Sequence, residues 1–173
     1  MSSSYTLRAE QVGDEAAICD LVRRAFAPMP FSDGDEQDLV NALRADGDLV
    51  VSLVAVSPAG AIIGHVGFSP ATIERQACGW YQMAPVSVTP GRQHRGIGSA
   101  LIRAGIEQLR ESDAAGIAVV GNPVYYERFG FTVLAGLAPE SAHDAPYFRA
   151  MVLGGKVPQG TLRYAPAFNE STG

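Results

Sequence analysis

Two cysteines in 173 residues, Cys19 and Cys78, with no Cys-x-x-Cys spacing, leave this chain without a disulfide framework or a thiol-rich metal site. Their simplest state is the free thiol of a reducing cytoplasm, and a cytoplasmic localisation is the expectation. Long apolar runs are missing too: no stretch of about 18 apolar residues offers a membrane span. Met1-Ser2-Ser3-Ser4-Tyr5 lacks a basic segment followed by an apolar one, so no secretory signal is expected. A net charge of −5 argues against general nucleic-acid binding, which wants a basic surface. The three histidines, His65, His94 and His143, show no metal-ligand spacing, and no metal is expected. There is no repeat, low-complexity block or interdomain linker. What remains is a chain 47% apolar, long enough for one domain with a proper core.

The elements follow from periodicity and punctuation. Tyr5–Ala9 reads as a first strand after a disordered leader at 1–4. Asp14 is placed to cap a helix whose buried stripe is Ile18, Leu21, Val22 and Ala25, closed by Pro28 and Pro30. Asp33 and Glu36 stand at capping-box spacing before a second helix with apolar face Leu39, Val40 and Leu43. From Leu49 the chain turns β-branched: L-V-V-S-L-V-A-V, a Ser57–Gly60 turn, A-I-I-G-H-V-G-F-S, and A-T-I-E-R as a third strand. Gln76–Gln82 reads as a loop holding Trp80 and Tyr81. A strand at Ala84–Val88 and a helix from Ser99 follow. I-A-V-V is then a buried strand, Asn122-Pro123 opens a short helix stopped by Gly130, and F-T-V-L is a further strand. F-R-A-M-V-L and Thr161–Tyr164 complete a domain spanning 5–165, before a frayed tail at 166–173. The pattern is a mixed α/β domain, α+β-like, with a mostly antiparallel twisted central sheet flanked by helices.

The organising stretch is Met83–Leu109. A strand containing Val86 and Val88 ends at Pro90-Gly91, and a helix opens directly out of a turn containing Gly96 and Gly98. A helix starting there offers unpaired N–H groups and its positive dipole end to an anion. The interval from Glu74 to Glu107 contains no acidic residue, while Arg75, Arg92, Arg95 and Arg103 lie within it. A cationic segment in an acidic chain suggests an anionic ligand of limited size. Arg92 and Arg95 flank the glycines; Arg103 is equally readable as part of a solvated helix face. Leu101 stands where the third glycine of a dinucleotide-binding turn belongs, and no Gly-Lys-Ser/Thr or G-x-S-x-G elbow is present.

The run V-S-V-T-P-G-R-Q-H-R-G-I-G-S-A-L-I resembles the acyl-CoA-binding signature of the GNAT (Gcn5-related) N-acetyltransferase superfamily, Gln/Arg-x-x-Gly-x-Gly/Ala after a hydrophobic strand. Gln93, His94, Arg95, Gly96, Ile97 and Gly98 fill that core. A-V-V-G-N-P-V-Y-Y-E-R-F-G-F, from Ala118 to Phe131, resembles the family's second element: a strand, an asparagine, and a short helix ending in Tyr-Glu-Lys/Arg-x-Gly-Phe. The two motifs stand in family order, and with the elements before them the resemblance covers nearly the whole chain. It lies nearest the small bacterial YhbS-like group.

The resemblance implies an acetyl-CoA-dependent N-acetyltransferase with coenzyme A as co-substrate. The N–H groups from Gln93 to Ser99 would cradle the pyrophosphate, with charge from Arg92 or Arg95. Main-chain groups of the Val86–Ser87–Val88 strand would pair with the pantetheine amides, a donor near Val86 polarising the thioester carbonyl. Tyr126 takes the place of the family's general acid, against the plain reading that it is a core aromatic; Tyr125 reads as packing on Phe129. Asn122 either hydrogen-bonds the pantetheine or caps the helix. Many relatives carry a glutamate on the strand before the glycine turn, but Trp80–Thr89 contains no acid. His65 is the candidate base, with Glu36 and water-mediated removal also open, and a lone histidine in an apolar strand is more often structural. Cys78 shows no activating partner. The acceptor is expected to be a small-molecule or peptide amine, with homodimers common in such families. A catalytically idle acyl-CoA-binding or sensing domain is the alternative.

Overall fold

The β-branched run after Leu49 supplies the strands against which most of the chain is laid. The computed structural model describes residues 4–29, 32 and 34–170. Strand β1 (Thr6–Ala9) pairs antiparallel with β2 (Val51–Val56), β2 with β3 (Ile62–Ile73), and β3 with β4 (Gln76–Val88). Next to β4 lies β5 (Gly116–Val120), parallel to it. Strand β6 (Leu137–Pro139) stands off this path, whereas β7 (Phe148–Val152) pairs antiparallel with β5. Finally β8 (Gly160–Arg163) joins β6 in parallel and β3 in antiparallel fashion. The sheet is mixed and mostly antiparallel, in the order β1-β2-β3-β4-β5-β7.

Helices cover both faces. On one face α1 (Glu15–Phe26) buries Ile18, Leu21, Val22 and Ala25, and α2 (Glu36–Ala45) buries Val40 and Leu43. On the other, α3 (Ile97–Glu111) packs Ile97, Leu101, Ile102 and Ile106 against Val66, Phe68 and Met83. The short α4 (Pro123–Glu127) follows β5, and α5 (Ala167–Glu170) lies near the C-terminus. Among the described residues no helix is long and apolar enough to cross a membrane.

Several local expectations give way. The segments read as two strands around Ser69 are one strand, β3, and Gln76–Gln82 is the first half of β4 rather than a loop. The hairpin between them turns at Glu74 and Arg75, which adopt φ of 52° and 65° without any glycine to announce them. Trp80 is buried because its indole lies against Gly116, where a Cβ would come within 2.3 Å of the ring. F-T-V-L is no strand: only Thr132 reaches β7, exchanging two 2.8 Å hydrogen bonds with Ala150. The Asp14 carboxylate does not cap α1; it pairs with Arg8 at 2.7 Å and accepts the Gln11 N–H. Residues 166–170 are not frayed, since Ala167 is buried beside Leu43 and Ala165. Residues 1–3 of the leader, Pro30, Asp33 and residues 171–173 lie outside the described residues.

Two glycines let α3 lie close on β3. A Cβ at Gly64 would stand 2.9 Å from both Ile97 and Leu101, and one at Gly105 would stand 2.2 Å from the buried Phe68 ring. The start of α3 is thereby held against the end of β4. Replacing a helix-interior glycine with alanine ordinarily stabilises by about 0.5–1 kcal/mol. Gly105→Ala is expected to do the reverse, lowering the unfolding free energy by about 1–3 kcal/mol through overpacking, as read by urea denaturation.

Candidate functional site

Only three residue pairs join β4 to β5: Trp80↔Gly116, Tyr81↔Ile117 and Gln82↔Ala118. Beyond them β4 runs on to Val88 without that partner. It also carries a bulge, because the step from Val66 to Phe68 on β3 is matched by the longer step from Val86 back to Met83. The Thr89 N–H donates to Ile63 C=O at 2.9 Å, so main-chain groups alternate from there. Ser87 faces β3, while Val86 and Val88 turn their N–H and C=O toward the open side. The Gln93 side chain donates to the Val88 carbonyl at 3.3 Å and ties the following turn to the strand.

That turn bends through three left-handed residues, Gly91 (φ 91°), His94 (φ 65°) and Gly96 (φ 87°). Left-handed residues of this kind can turn neighbouring N–H groups toward one side, as anion-binding turns do. Gly96 stands at the N-cap of α3 and offers no side-chain cap, and no acid occupies the first turn. The first intrahelical donor is Ala100, bonding to Gly96 C=O at 3.0 Å, which leaves the N–H groups of Ile97, Gly98 and Ser99 free of helix partners.

Helix α4 forms the facing wall. Asn122 caps it, its side chain accepting the Val124 N–H at 3.1 Å, and Pro123 suits the first helical position. Gly121 leaves room for Tyr126, whose ring a Cβ there would meet at 2.6 Å. The Tyr126 ring stands edge-on to both Tyr125 and Phe131. Burial, with the neighbouring Tyr125 second, pushes its phenol up to about 12. The Tyr125 hydroxyl reaches across to α3, 3.4 Å from where a Gly98 Cβ would be. Between these walls lies a cleft of about 720 Å³.

The cleft brings together most of the residues marked by the sequence: Val86, Val88, Gln93, His94, Gly96, Gly98, Ser99, Asn122 and Tyr126. Ser87 and Ile97 lie behind it with buried side chains: Ile97 offers its main-chain N–H alone, whereas the Ser87 main chain is turned to β3 and the residue offers the cleft nothing. Arg95 is exposed beside the turn, outside the lining. Met29, Val124, Tyr125 and Arg128 line the cleft without having been singled out as ligands. Periodicity explains the miss for Tyr125: its packing on Phe129 is real, edge-on at 5.4 Å, and hides its second contact across the cleft.

His65 requires a correction, because it does not reach the cleft. It is fully buried, on the α1 face of the sheet, and its Nε2 lies 2.8 Å from Ser52 Oγ. Ser52 gives its single proton to Glu10 at 2.7 Å, so Nε2 brings the hydrogen of the first bond and Nδ1 is left bare and without a partner. Arg44 in turn grips Glu10 through Nε and Nη2 at 2.8 and 2.9 Å. Burial pushes the imidazole down to about 4, more than Glu10 can offset. For Glu10 burial works the other way, but hydrogen bonds from Arg44 and Ser52 hold the carboxyl below its ordinary range. Glu36 also stands outside the cleft lining, engaged by the Ser32 hydroxyl at 2.6 Å, and Cys78 is exposed at the opposite end of β4.

Comparison with known proteins places this geometry among relatives. A family model for the acetyltransferase (GNAT) domain matches residues 48–133. The chain is 36% identical over 129 residues to the N-acetyltransferase YhbS of Escherichia coli (strain K12), an overlap covering 75% of this chain and 74% of that protein. It is similar to a GNAT family acetyltransferase from Brucella melitensis solved in complex with acetyl-CoA, at 39% identity and a TM-score of 0.85, covering 95% of this chain and 98% of that one. It is also similar to the structure of E. coli YhbS in complex with CoA, with a TM-score of 0.90 and 30% identity, covering 98% and 94%.

The His65 environment predicts a pH dependence of stability. Its folded-state value of about 4 lies below the ordinary 6.5, so the unfolded chain binds more protons between those limits. The contribution is fully present above about pH 6.5 and is lost as pH falls toward 4, amounting to about 3 kcal/mol. Urea unfolding at pH 7 and pH 4 should show that loss, and His65→Phe should reduce it.

Proposed function

Because the chain belongs to the GNAT acetyltransferase family, we propose that it transfers the acetyl group of acetyl-CoA to a primary amine by direct attack, with both substrates bound at once. The observation that carries this reading is the gap between β4 and β5, with unpaired strand groups on one side and the bare N-terminus of α3 at its end. The fit to coenzyme A is steric as well as electrostatic. A Cβ on Gly98 would come into van der Waals contact with Val88 and the Tyr125 hydroxyl, at 3.5 and 3.4 Å, and take up space between them.

Acetyl-CoA supplies an activated acyl group whose departure leaves a thiolate. Val86 and Val88 hold the pantetheine arm by main-chain pairing, as an added strand would be held. A Val86 N–H aimed at the carbonyl oxygen stabilises charge that develops there, a contribution worth about 2.7–4 kcal/mol in an enzyme. The amides of Gln93–Ser99 anchor the pyrophosphate. Tyr126 donates its phenolic hydrogen to the departing sulfur. With its phenol pushed up to about 12, it stays protonated through the working pH range and acts as a hydrogen-bond donor more than as a full acid. Among the described residues no carboxylate lines the cleft, which supports a route for the amine proton through water.

That same lack of a carboxylate among the described lining residues favours a second reading, a domain that binds acyl-CoA and senses it without turnover. A thiol-release assay with acetyl-CoA over a panel of amines separates the two. Turnover with at least one primary amine is expected, and binding without turnover for every amine would establish the sensor. Tyr126→Phe should lower kcat about 100-fold while leaving KM for acetyl-CoA little changed. In the wild type, kcat should show no falling limb near pH 10, where an unperturbed tyrosine would lose its proton.

A further inference from the structure

We propose that Arg128, supported by Arg103, forms a second anion seat in the cleft, and that this seat takes the 3′-phosphate of coenzyme A. The proposal rests on the reading that coenzyme A occupies the cleft. Arg128 lines that cleft, on the wall opposite the start of α3, and no acidic side chain lines it among the described residues. Its guanidinium lies over the Tyr125 ring, 4.6 Å from the centroid, and Arg103 lies over Phe129 at 4.9 Å. The two rings contact each other edge-on, so both guanidinium groups rest on one aromatic pair. A guanidinium held over an aromatic ring keeps N–H donors for phosphate oxygens.

Neither arginine forms an ion pair among the described residues. Glu127, beside Arg128 in sequence, turns instead toward Arg149 at 3.6 Å, and Glu107 on α3 turns toward Arg110 at 3.6 Å. The chain thus holds two cations on aromatic supports and keeps its nearby carboxylates engaged elsewhere. Tyr125 supplies the spacing. Its hydroxyl lies at Gly98, beside the free amides of α3, and its ring face carries Arg128. One aromatic ring therefore separates the two anion seats. That arrangement matches a ligand carrying phosphates on two positions of one ribose, as coenzyme A does, better than a ligand with a single phosphate group.

Titration calorimetry of the full-length chain with coenzyme A and with dephospho-coenzyme A tests this. The wild type should bind coenzyme A about tenfold more tightly than the dephospho form. Arg128→Gln should erase that preference while leaving affinity for dephospho-coenzyme A unchanged, which also shows that the variant is folded; Arg103→Gln should reduce the preference in part. Equal weakening of both nucleotides, or an undiminished preference in Arg128→Gln, would overturn the proposal. Failure of the wild type to bind either nucleotide would instead overturn the coenzyme A reading beneath it.

Discussion

Backbone hydrogen bonds unmade by β4 are the constraint on which the cleft depends. A strand with one paired edge must satisfy its other edge with protein, water or ligand. Past Gln82 the β5 strand no longer serves, and Val86 and Val88 are left facing a cleft of about 720 Å³. They stay in place because β3 holds their other side, through pairs running from Val66↔Val86 to Gly64↔Val88. The remaining parts of the cleft are located relative to that edge. Gly64 and Gly105 allow α3 down onto β3, which brings its free amides to the end of the open strand. Asn122 starts α4 at the right point to face them.

The two faces of the sheet do different work. On the α1 side, Arg44, Glu10, Ser52 and His65 form a chain of hydrogen bonds in which each member fixes the next. Its role is structural: the imidazole is sealed from solvent and kept neutral, and its cost appears only when acid forces a proton onto it. The α3 and α4 side carries the donors of the cleft. Free amides, the Tyr126 phenol and the guanidinium groups of Arg128 and Arg103 line or border the cleft, with no carboxylate among the described lining residues. A donor-rich surface of this kind suits a phosphorylated ligand.

Much of this was legible in the residues. The stripe Ile18, Leu21, Val22, Ala25 is buried as helical spacing requires, and residues of both motif segments, from Gln93 to Gly98 and from Asn122 to Arg128, line one cleft. What escaped reading depends on contacts distant in sequence. The long β3–β4 hairpin turns on two non-glycine residues with positive φ, and Trp80 is held in β4 by a glycine on β5. His65 looked chemically apt because a titratable group in a strand says nothing about which face it takes. Tyr125 and Arg128 escaped for the opposite reason: helical spacing accounts for one face of each, and only the fold shows the other.

The most direct test of this account is residue-resolved amide hydrogen exchange, measured by NMR with and without coenzyme A. Pairing of the pantetheine arm with the open strand predicts slowed exchange at Val86 and Val88 and at Ile97, Gly98 and Ser99, with Ser87 unchanged because it already faces β3. Slowed exchange confined to other elements, with Val86 and Val88 unaffected at saturating coenzyme A, would contradict the claim that the parted strand is the binding surface.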